Sequence, residues 1–183
     1  MADEIIFRAV SDENWTDFES LFQKRGAPKS CWCMAWRKIR PELKGDPLAK
    51  KHEMQQRIQG GEPVGILGYV NDDPIAWCSV SPRETYRSTM ADVLAGDDNE
   101  NIWSIVCFFV MGNFRGNGLM TRLMEAAEIH AAQSGATVLE GYPVDPNSPS
   151  YRFGGFLSAF EERGYEKIGR KGSRRYVVRK SIK

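Results

Sequence analysis

Histidine is nearly missing from this chain. Only His52 and His130 occur, and neither has the spacing of a metal finger, so no metal centre is expected. Cysteine is scarce as well: four in 183 residues cannot form the dense disulfide framework of a small secreted scaffold. Cys31 and Cys33 flank Trp32, and that cluster reads as a packed turn or short helix. Cys78 and Cys107 fall in apolar, strand-like segments and are expected to be buried thiols. Charge of one sign is also lacking. The net charge of +1 gives no global basic field, so no nucleic-acid partner is expected. No apolar run is long enough to span a bilayer, which excludes a membrane-spanning helix. The start, Met1-Ala2-Asp3-Glu4, is acidic and lacks a secretory leader pattern, so a cytoplasmic location is expected. Repeats, low-complexity tracts and linker-like stretches are absent too. Residues 1–183 are therefore expected to form a single domain.

What the chain does have is a hydrophobic share of 42%, enough for a core. Glu4 to Val10 reads as a strand. Ser11 then caps an amphipathic run through Phe22, carrying Trp15, Phe18 and Leu21 on one side, which Gly26-Ala27-Pro28 ends. Asp46-Pro47 opens a helix over Leu48 to Gln59, stopped by Gly60-Gly61. Val64 to Val70 and Pro74 to Val80, with Asn71-Asp72-Asp73 between them, read as an antiparallel hairpin. Ser81 to Asn101 is polar and reads as a loop. Ile102 to Met111 is almost wholly apolar, as in a strand buried on both faces. A helix over Gly118 to Gln133 and a strand over Thr137 to Val144 follow, an arrangement that makes the two strands parallel neighbours. Pro143 to Pro149 is a loop, Leu157 to Arg163 a short helix, and Glu166 to Ile182 a closing hairpin turning at Lys171-Gly172. The basic residues Lys167, Arg170, Lys171, Arg174 and Arg175 on this hairpin read as a solvated edge.

The most informative stretch runs from Cys107 through Val110 and Met111 to Met120: buried strand, glycine-rich turn, first turn of a helix. Free backbone N–H groups at a helix start, with the helix dipole behind them, make an anion site suited to a phosphate or pyrophosphate. Two common ligand motifs are excluded. A Walker loop needs Gly-Lys before Ser or Thr, and here Gly118 precedes Leu119. A dinucleotide fingerprint needs a third glycine where Thr121 stands. The remaining Arg-Gly-Asn-Gly-Leu after a hydrophobic strand resembles the pyrophosphate loop of the GNAT superfamily of acetyltransferases. Arg115 and Gly118 match that family's pattern, and Met120 replaces its final small residue. The element order β-α-α-β-β-β-α-β-α-β-β is that of the same fold. The chain is therefore expected to be α/β, with a mixed sheet and the GNAT-like acyl-CoA N-acyltransferase fold. The segment Cys31-Trp32-Cys33-Met34-Ala35-Trp36-Arg37 looks like one found in a poorly characterised branch of that family.

The resemblance implies a function: transfer of an acetyl group from acetyl-CoA to a primary amine of a small molecule. A protein or peptide acceptor and a non-catalytic CoA-binding module are the alternatives. It implies that the backbone of Phe109, Val110 and Met111 pairs with the pantetheine arm, with Val110 as an oxyanion donor. Arg115, Gly116, Asn117, Gly118, Leu119 and Met120 would hold the pyrophosphate. The family's usual catalytic groups do not carry over. Phe160 stands where relatives have a tyrosine that protonates the thiol. Phe153 and Phe156 occupy the region of an expected asparagine, and Trp103 and Ser104 stand where a carboxylate base is sometimes found. Tyr151 and Tyr142 are the substitute acids and Glu84 the substitute base, with protonation by solvent as the alternative. The acceptor side is expected to involve Trp32, Met34, Trp36, Arg37, Arg83, Glu84, Tyr86 and Arg87, a set suited to a small amine or amino-acid-like molecule bearing an anionic group and equally to a core under a long loop. The partners expected are that amine and, as a possible assembly, a homodimer.

Overall fold

A computed structural model describes residues 4–87 and 100–182. Its strands are β1 (Ile5–Ala9), β2 (Ile66–Val70), β3 (Asp73–Pro82), β4 (Ile102–Val110), β5 (Val138–Gly141), β6 (Glu166–Lys171) and β7 (Arg175–Ser181). The α-helices among the described residues are α1 (Trp15–Gln23), α2 (Pro47–Gln59), α3 (Leu119–Gln133) and α4 (Leu157–Glu162). The local signals act as their chemistry dictates. The Asp46 carboxylate accepts the N–H groups of Leu48 and Ala49 at 2.8 and 3.2 Å, and Pro47 occupies the first helical position of α2. Ahead of α1, Asn14 accepts the Ser11 N–H at 2.8 Å and donates to the Ala9 carbonyl at 2.9 Å, joining helix to strand.

The seven strands form one sheet in the order β1-β2-β3-β4-β5-β7-β6. Every pairing is antiparallel except β4–β5, the pair that α3 connects. The closing hairpin enters with β7 against β5, leaving β6 at the edge. Two cores flank the sheet. One gathers α3 residues such as Leu123 and Ala127 with Phe160 of α4. The other gathers Phe18, Leu21 and Phe22 of α1, Met54 and Ile58 of α2, and Trp32 and Trp77.

Three departures from the expected elements matter. β3 runs on to Pro82, because that residue still has a partner in Trp103. β5 stops at Gly141 rather than Val144. A Cβ on Gly141 would lie 2.4 Å from the Phe160 ring, so that ring already fills the space beside the strand's end. Phe160 is thus a core residue, wholly buried against Tyr165 and Phe108. The loop expected over residues 81–101 begins with a 3-10 turn, Arg83–Thr85, and a bridge from Tyr86 to Arg37; residues 88–99 lie outside the described residues.

The feature that positions the site is the parting of β4 from β5. Their parallel pairing covers Ile102–Ile105 against Val138–Gly141 and ends there. At the same level β4 carries an extra residue, Val106, because Cys107 pairs with Ser79 and Ile105 with Val80. Such a bulge bends its strand and sharpens its twist. From Val106 onward, β4 is held on its β3 side only.

Candidate cofactor and acceptor sites

Beyond the gap the chain turns tightly. The Phe114 N–H reaches the Met111 carbonyl at 3.0 Å and the Arg115 N–H reaches Gly112 at 3.3 Å. Gly116 and Gly118 then take φ of +83° and +70°, the left-handed region that favours glycine, and α3 starts at Leu119. The amides of Gly116, Asn117, Gly118, Leu119 and Met120 make no hydrogen bond to the described residues. No protein atom lies within 4 Å of the place a Cβ would take on Gly112, Gly116 or Gly118, so the turn is open to a ligand. Five unpaired donors at the positive end of a helix 15 residues long fit a diphosphate.

A cavity of about 670 Å³ fills the space between this turn and the gap. Phe108, Phe109 and Val110 of β4 form one wall, Arg115, Gly116, Gly118, Leu119 and Met120 another, and Arg152, Phe153 and Phe156 close the far side. Asn117 and Met111 are absent from the lining. The strand register corrects part of the expected backbone set. The Met111 N–H is bonded to the Ile75 carbonyl at 2.9 Å, and its own carbonyl accepts from Phe114. By antiparallel alternation, the N–H and C=O of Phe109 then point to β3, whereas those of Phe108 and Val110 point into the gap. Phe108 and Val110, not Phe109 and Met111, thus offer a free edge. Arg115 adds a detail: its Nε donates to the Val110 carbonyl at 2.8 Å. The side chain that was to hold phosphate also tethers the turn to the strand.

A second cavity of about 270 Å³ adjoins the first, sharing Phe108, Phe109 and Phe153. Phe22, Trp36, Trp77, Pro28, Ala35, Cys31, Cys33 and Cys107 complete it, with no charged side chain among them. The arginines expected to face an acceptor serve the fold instead. Arg37 is fully buried and donates to the Val64 carbonyl at 2.8 Å and Ser81 Oγ at 3.0 Å, under the Tyr86 ring. Arg83 lies 3.8 Å from the Glu140 carboxylate, and Arg87 sits over the Trp36 ring.

Of the three catalytic candidates, Tyr142 and Tyr151 line one small crevice with Trp36 and Arg175, outside both large cavities, and Glu84 lies apart. Tyr142 is buried and donates its hydroxyl to the Glu140 carboxylate, which Arg179 also holds at 2.8 Å. Burial first, and the Glu140 charge beside it, push this phenol well above its usual range, so it keeps its proton. It lines neither large cavity. Glu84 is exposed in the turn after β3, where it forms no hydrogen bond or ion pair with the described residues. The end of β3 lies beside Trp103, six residues before Phe109, which puts Glu84 roughly 20 Å along the strand from the cavity. Tyr151 stands nearer. It precedes Arg152 and Phe153 of the cavity wall and has a left-handed φ of +61°. Its ring meets Trp36 at 6.0 Å, with the Arg175 guanidinium 4.8 Å from it and 4.7 Å from Trp36. Sequence reasoning missed Phe108 and the three thiols of the second cavity. The alternation of strand backbone could have flagged Phe108 only once the β3 register was known.

Comparison with known proteins gives one family. The model of the family described as "Acetyltransferase (GNAT) family" matches residues 9–154. Among curated proteins none matches the sequence. Solved structures share the fold at low identity. An acetyltransferase of Listeria monocytogenes is 14% identical with a TM-score of 0.62, over 97% of this chain and 94% of that one. The PaiA N-acetyltransferase of Thermoplasma acidophilum, solved in complex with coenzyme A, is 14% identical with a TM-score of 0.57, over 97% and 99%. A ribosomal-protein-S5-alanine acetyltransferase of Vibrio fischeri is 10% identical with a TM-score of 0.58, over 100% and 95%.

Proposed function

The chain belongs to the acetyltransferase (GNAT) family, and from that premise we propose that it moves an acetyl group from acetyl-CoA to the primary amine of a small, largely apolar molecule. The observation that carries this reading is the row of unpaired amides from Gly116 to Met120, opening onto the gap where β4 leaves β5. Those amides would hold the pyrophosphate. The N–H groups of Phe108 and Val110, whose carbonyls already accept from Cys107 and Arg115, would pair with the pantetheine arm as an added strand does. The bound acyl thioester supplies an activated carbonyl. The Val110 N–H, which points into the gap, is the donor placed to stabilise negative charge on the carbonyl oxygen.

The second cavity supports the acceptor reading. Trp36, Trp77 and Phe153 give it apolar walls, and its size suits a compact body. An amine entering as its free base would need no buried carboxylate; its proton, once the bond to the acyl carbon forms, would pass to solvent. Tyr151 is the phenol best placed to protonate a departing thiolate, because Tyr142 is committed to Glu140 and Glu84 is distant. Calorimetry with acetyl-CoA tests the premise: saturable binding is expected, and silence at high micromolar ligand would overturn it. A panel of arylalkylamines, amino acids and N-terminal peptides then tests the acceptor. Turnover confined to peptides would favour a protein substrate, and tight binding with no thiol release on any amine would favour a binding module.

A further inference from the structure

The second cavity is walled by rings. Phe22, Trp36, Trp77, Phe108, Phe109 and Phe153 line its volume of about 270 Å³. Cavities of ~150 Å³ already admit benzene, so this one has room for a single ring or two fused ones. The walls are held in place by the fold. Phe22 meets Trp77 edge-on at 6.1 Å, Trp36 lies 6.2 Å from Phe153, and the Trp36 carbonyl accepts the Arg87 N–H at 2.9 Å. The Trp77 Nε1–H donates to Cys33 Sγ at 3.2 Å, so the polar edge of that indole is satisfied within the protein. Such walls favour an aromatic guest, whose ring packs edge-on or offset against its neighbours.

The charges around the cavity have the wrong sign for an ammonium group. Against its Trp36 wall stand two guanidiniums, Arg175 at 4.7 Å and Arg87 at 5.2 Å from the ring centroid. Aromatic faces can hold a cation, but on Trp36 these two arginines already use that attraction. Among the described residues no carboxylate lines the cavity. Glu140 is held by Tyr142 and Arg179, and Glu84 lies far along β3. An alkylammonium would have to shed its water and then face like charge. With the ~10.4 of a lysine, only roughly one alkylamine in a thousand is uncharged at pH 7.4. An amine borne on an aromatic ring shares its lone pair with that ring and is uncharged there already.

We propose that the acceptor is an arylamine, a primary amine attached directly to a one- or two-ring aromatic, which enters uncharged with its ring in the second cavity. This rests on the acetyltransferase reading and narrows it. Phe108, Phe109 and Phe153 belong to both cavities, and at that shared rim the amino group would meet the thioester. The nitrogen lone pair attacks the thioester carbonyl carbon. The N–C bond forms, the C–S bond breaks, and the sulfur leaves as the thiolate of coenzyme A. The nitrogen gives up one proton and the sulfur takes up one, through water or Tyr151, so no net proton is released. An alkylammonium must first lose a further proton to solvent.

Two isomers test this: 5-aminoindane, with its nitrogen on the aromatic ring, and 2-aminoindane, with its nitrogen on the saturated one. Calorimetry on the full chain without acyl donor reads their binding. At pH 7.4 the arylamine should bind at least tenfold tighter. From pH 7.4 to 9.0 its affinity should hold, while that of 2-aminoindane should rise more than tenfold. Cys31→Phe, which adds a ring to the cavity lining, should weaken arylamine binding at least tenfold. Acetyl-CoA affinity within twofold of wild type would show that this variant folds; should it not fold, the isomer comparison on the wild-type chain decides alone. Equal or tighter binding of 2-aminoindane at pH 7.4, or arylamine binding indifferent to Cys31→Phe in the folded variant, would overturn the proposal. So would benzoyl-CoA binding tenfold tighter than acetyl-CoA and losing that advantage in Cys31→Phe, because the cavity would then serve the acyl chain. Thiol release from acetyl-CoA separates the two readings. Turnover of 2-aminoindane alone overturns the arylamine and leaves acetyl transfer standing, whereas no release on either isomer or on the wider amine panel overturns acetyl transfer itself.

Discussion

Gly118 carries two demands at once: a left-handed backbone and an amide open to a ligand. Replacing it by valine is expected to cost about 1–2 kcal/mol from the φ alone, more for a branched side chain. No atom crowds the site, so folding should survive while acetyl-CoA affinity falls at least tenfold; urea melts and calorimetry together separate the two losses. Cys33 yields a second residue-scale expectation. Because its pKa is drawn down to about 6, its alkylation by iodoacetamide should rise with pH to a plateau already reached near neutrality, while Cys107 and Cys78 stay unreactive. Mass-resolved labelling across pH 5 to 9 would show it, and a half-point near that of an ordinary thiol would contradict it. The open glycine turn ahead of α3 was legible in the sequence because its chemistry is local: glycine spacing, a preceding apolar strand, a following helix. The parity that selects Phe108 and Val110 over Phe109 and Met111 was not legible, because β3 sets it from far along the chain through the Met111–Ile75 bond. Tyr142 was unreadable for a similar reason: its fate depends on Glu140, Arg179 and Arg83 meeting around it.

At the level of elements, the parting of β4 from β5 rests on an inserted residue and a wedge. Val106 bends β4, and Phe160 fills the space beside Gly141, the residue at which β5 ends. Gly141→Ala would set a methyl 2.4 Å from the Phe160 ring. A destabilisation of about 1–3 kcal/mol is expected from such overpacking, read by urea denaturation, with Phe160→Leu as a compensating second change. α3, whose N-terminus carries the unpaired amides, is pinned from below. Glu128 takes a two-toothed grip from Arg163 at 2.9 and 2.8 Å and a third contact from Lys180 at 2.9 Å. Burial would raise this carboxyl, but the hydrogen bonds from Arg163 and Lys180 outweigh it and hold it below its ordinary value. Glu128→Ala, which strands two partly buried cations, should cost about 2–4 kcal/mol in thermal or urea melts. The helices and hairpin were readable from periodicity and caps. The early end of β5 was not, since past Gly141 the chain turns to distant partners, Val144 to Gly155 and Leu157 and Pro143 to Tyr176, that no local pattern names.

For the molecule as a whole, pH is a lever with a definite sign. His130 on α3 is packed edge-on to Trp103 at 5.6 Å, with its Nε2 buried and unpartnered among the described residues. Burial lowers its pKa below 6.5, so the unfolded chain takes up a proton there before the folded one. Stability should therefore decline as pH falls from 6.5 toward the lowered value. His130→Gln should flatten that limb of a melting-temperature profile, and an unchanged limb would assign the sensitivity elsewhere. A second decline belongs to Glu128, whose contribution fades only once pH drops below its ordinary 4.5.

The half-held stretch of β4 has one more effect. Main-chain groups left unmatched along a strand are a template for a neighbour's strand, and here Arg115 and Cys107 cover only the carbonyls, leaving the N–H groups of Phe108 and Val110 open. Loading that slot with coenzyme A should hide the template. The ligand-free protein ought therefore to clump at lower temperature in a light-scattering ramp, so the cargo would act as a preservative as well as a reactant.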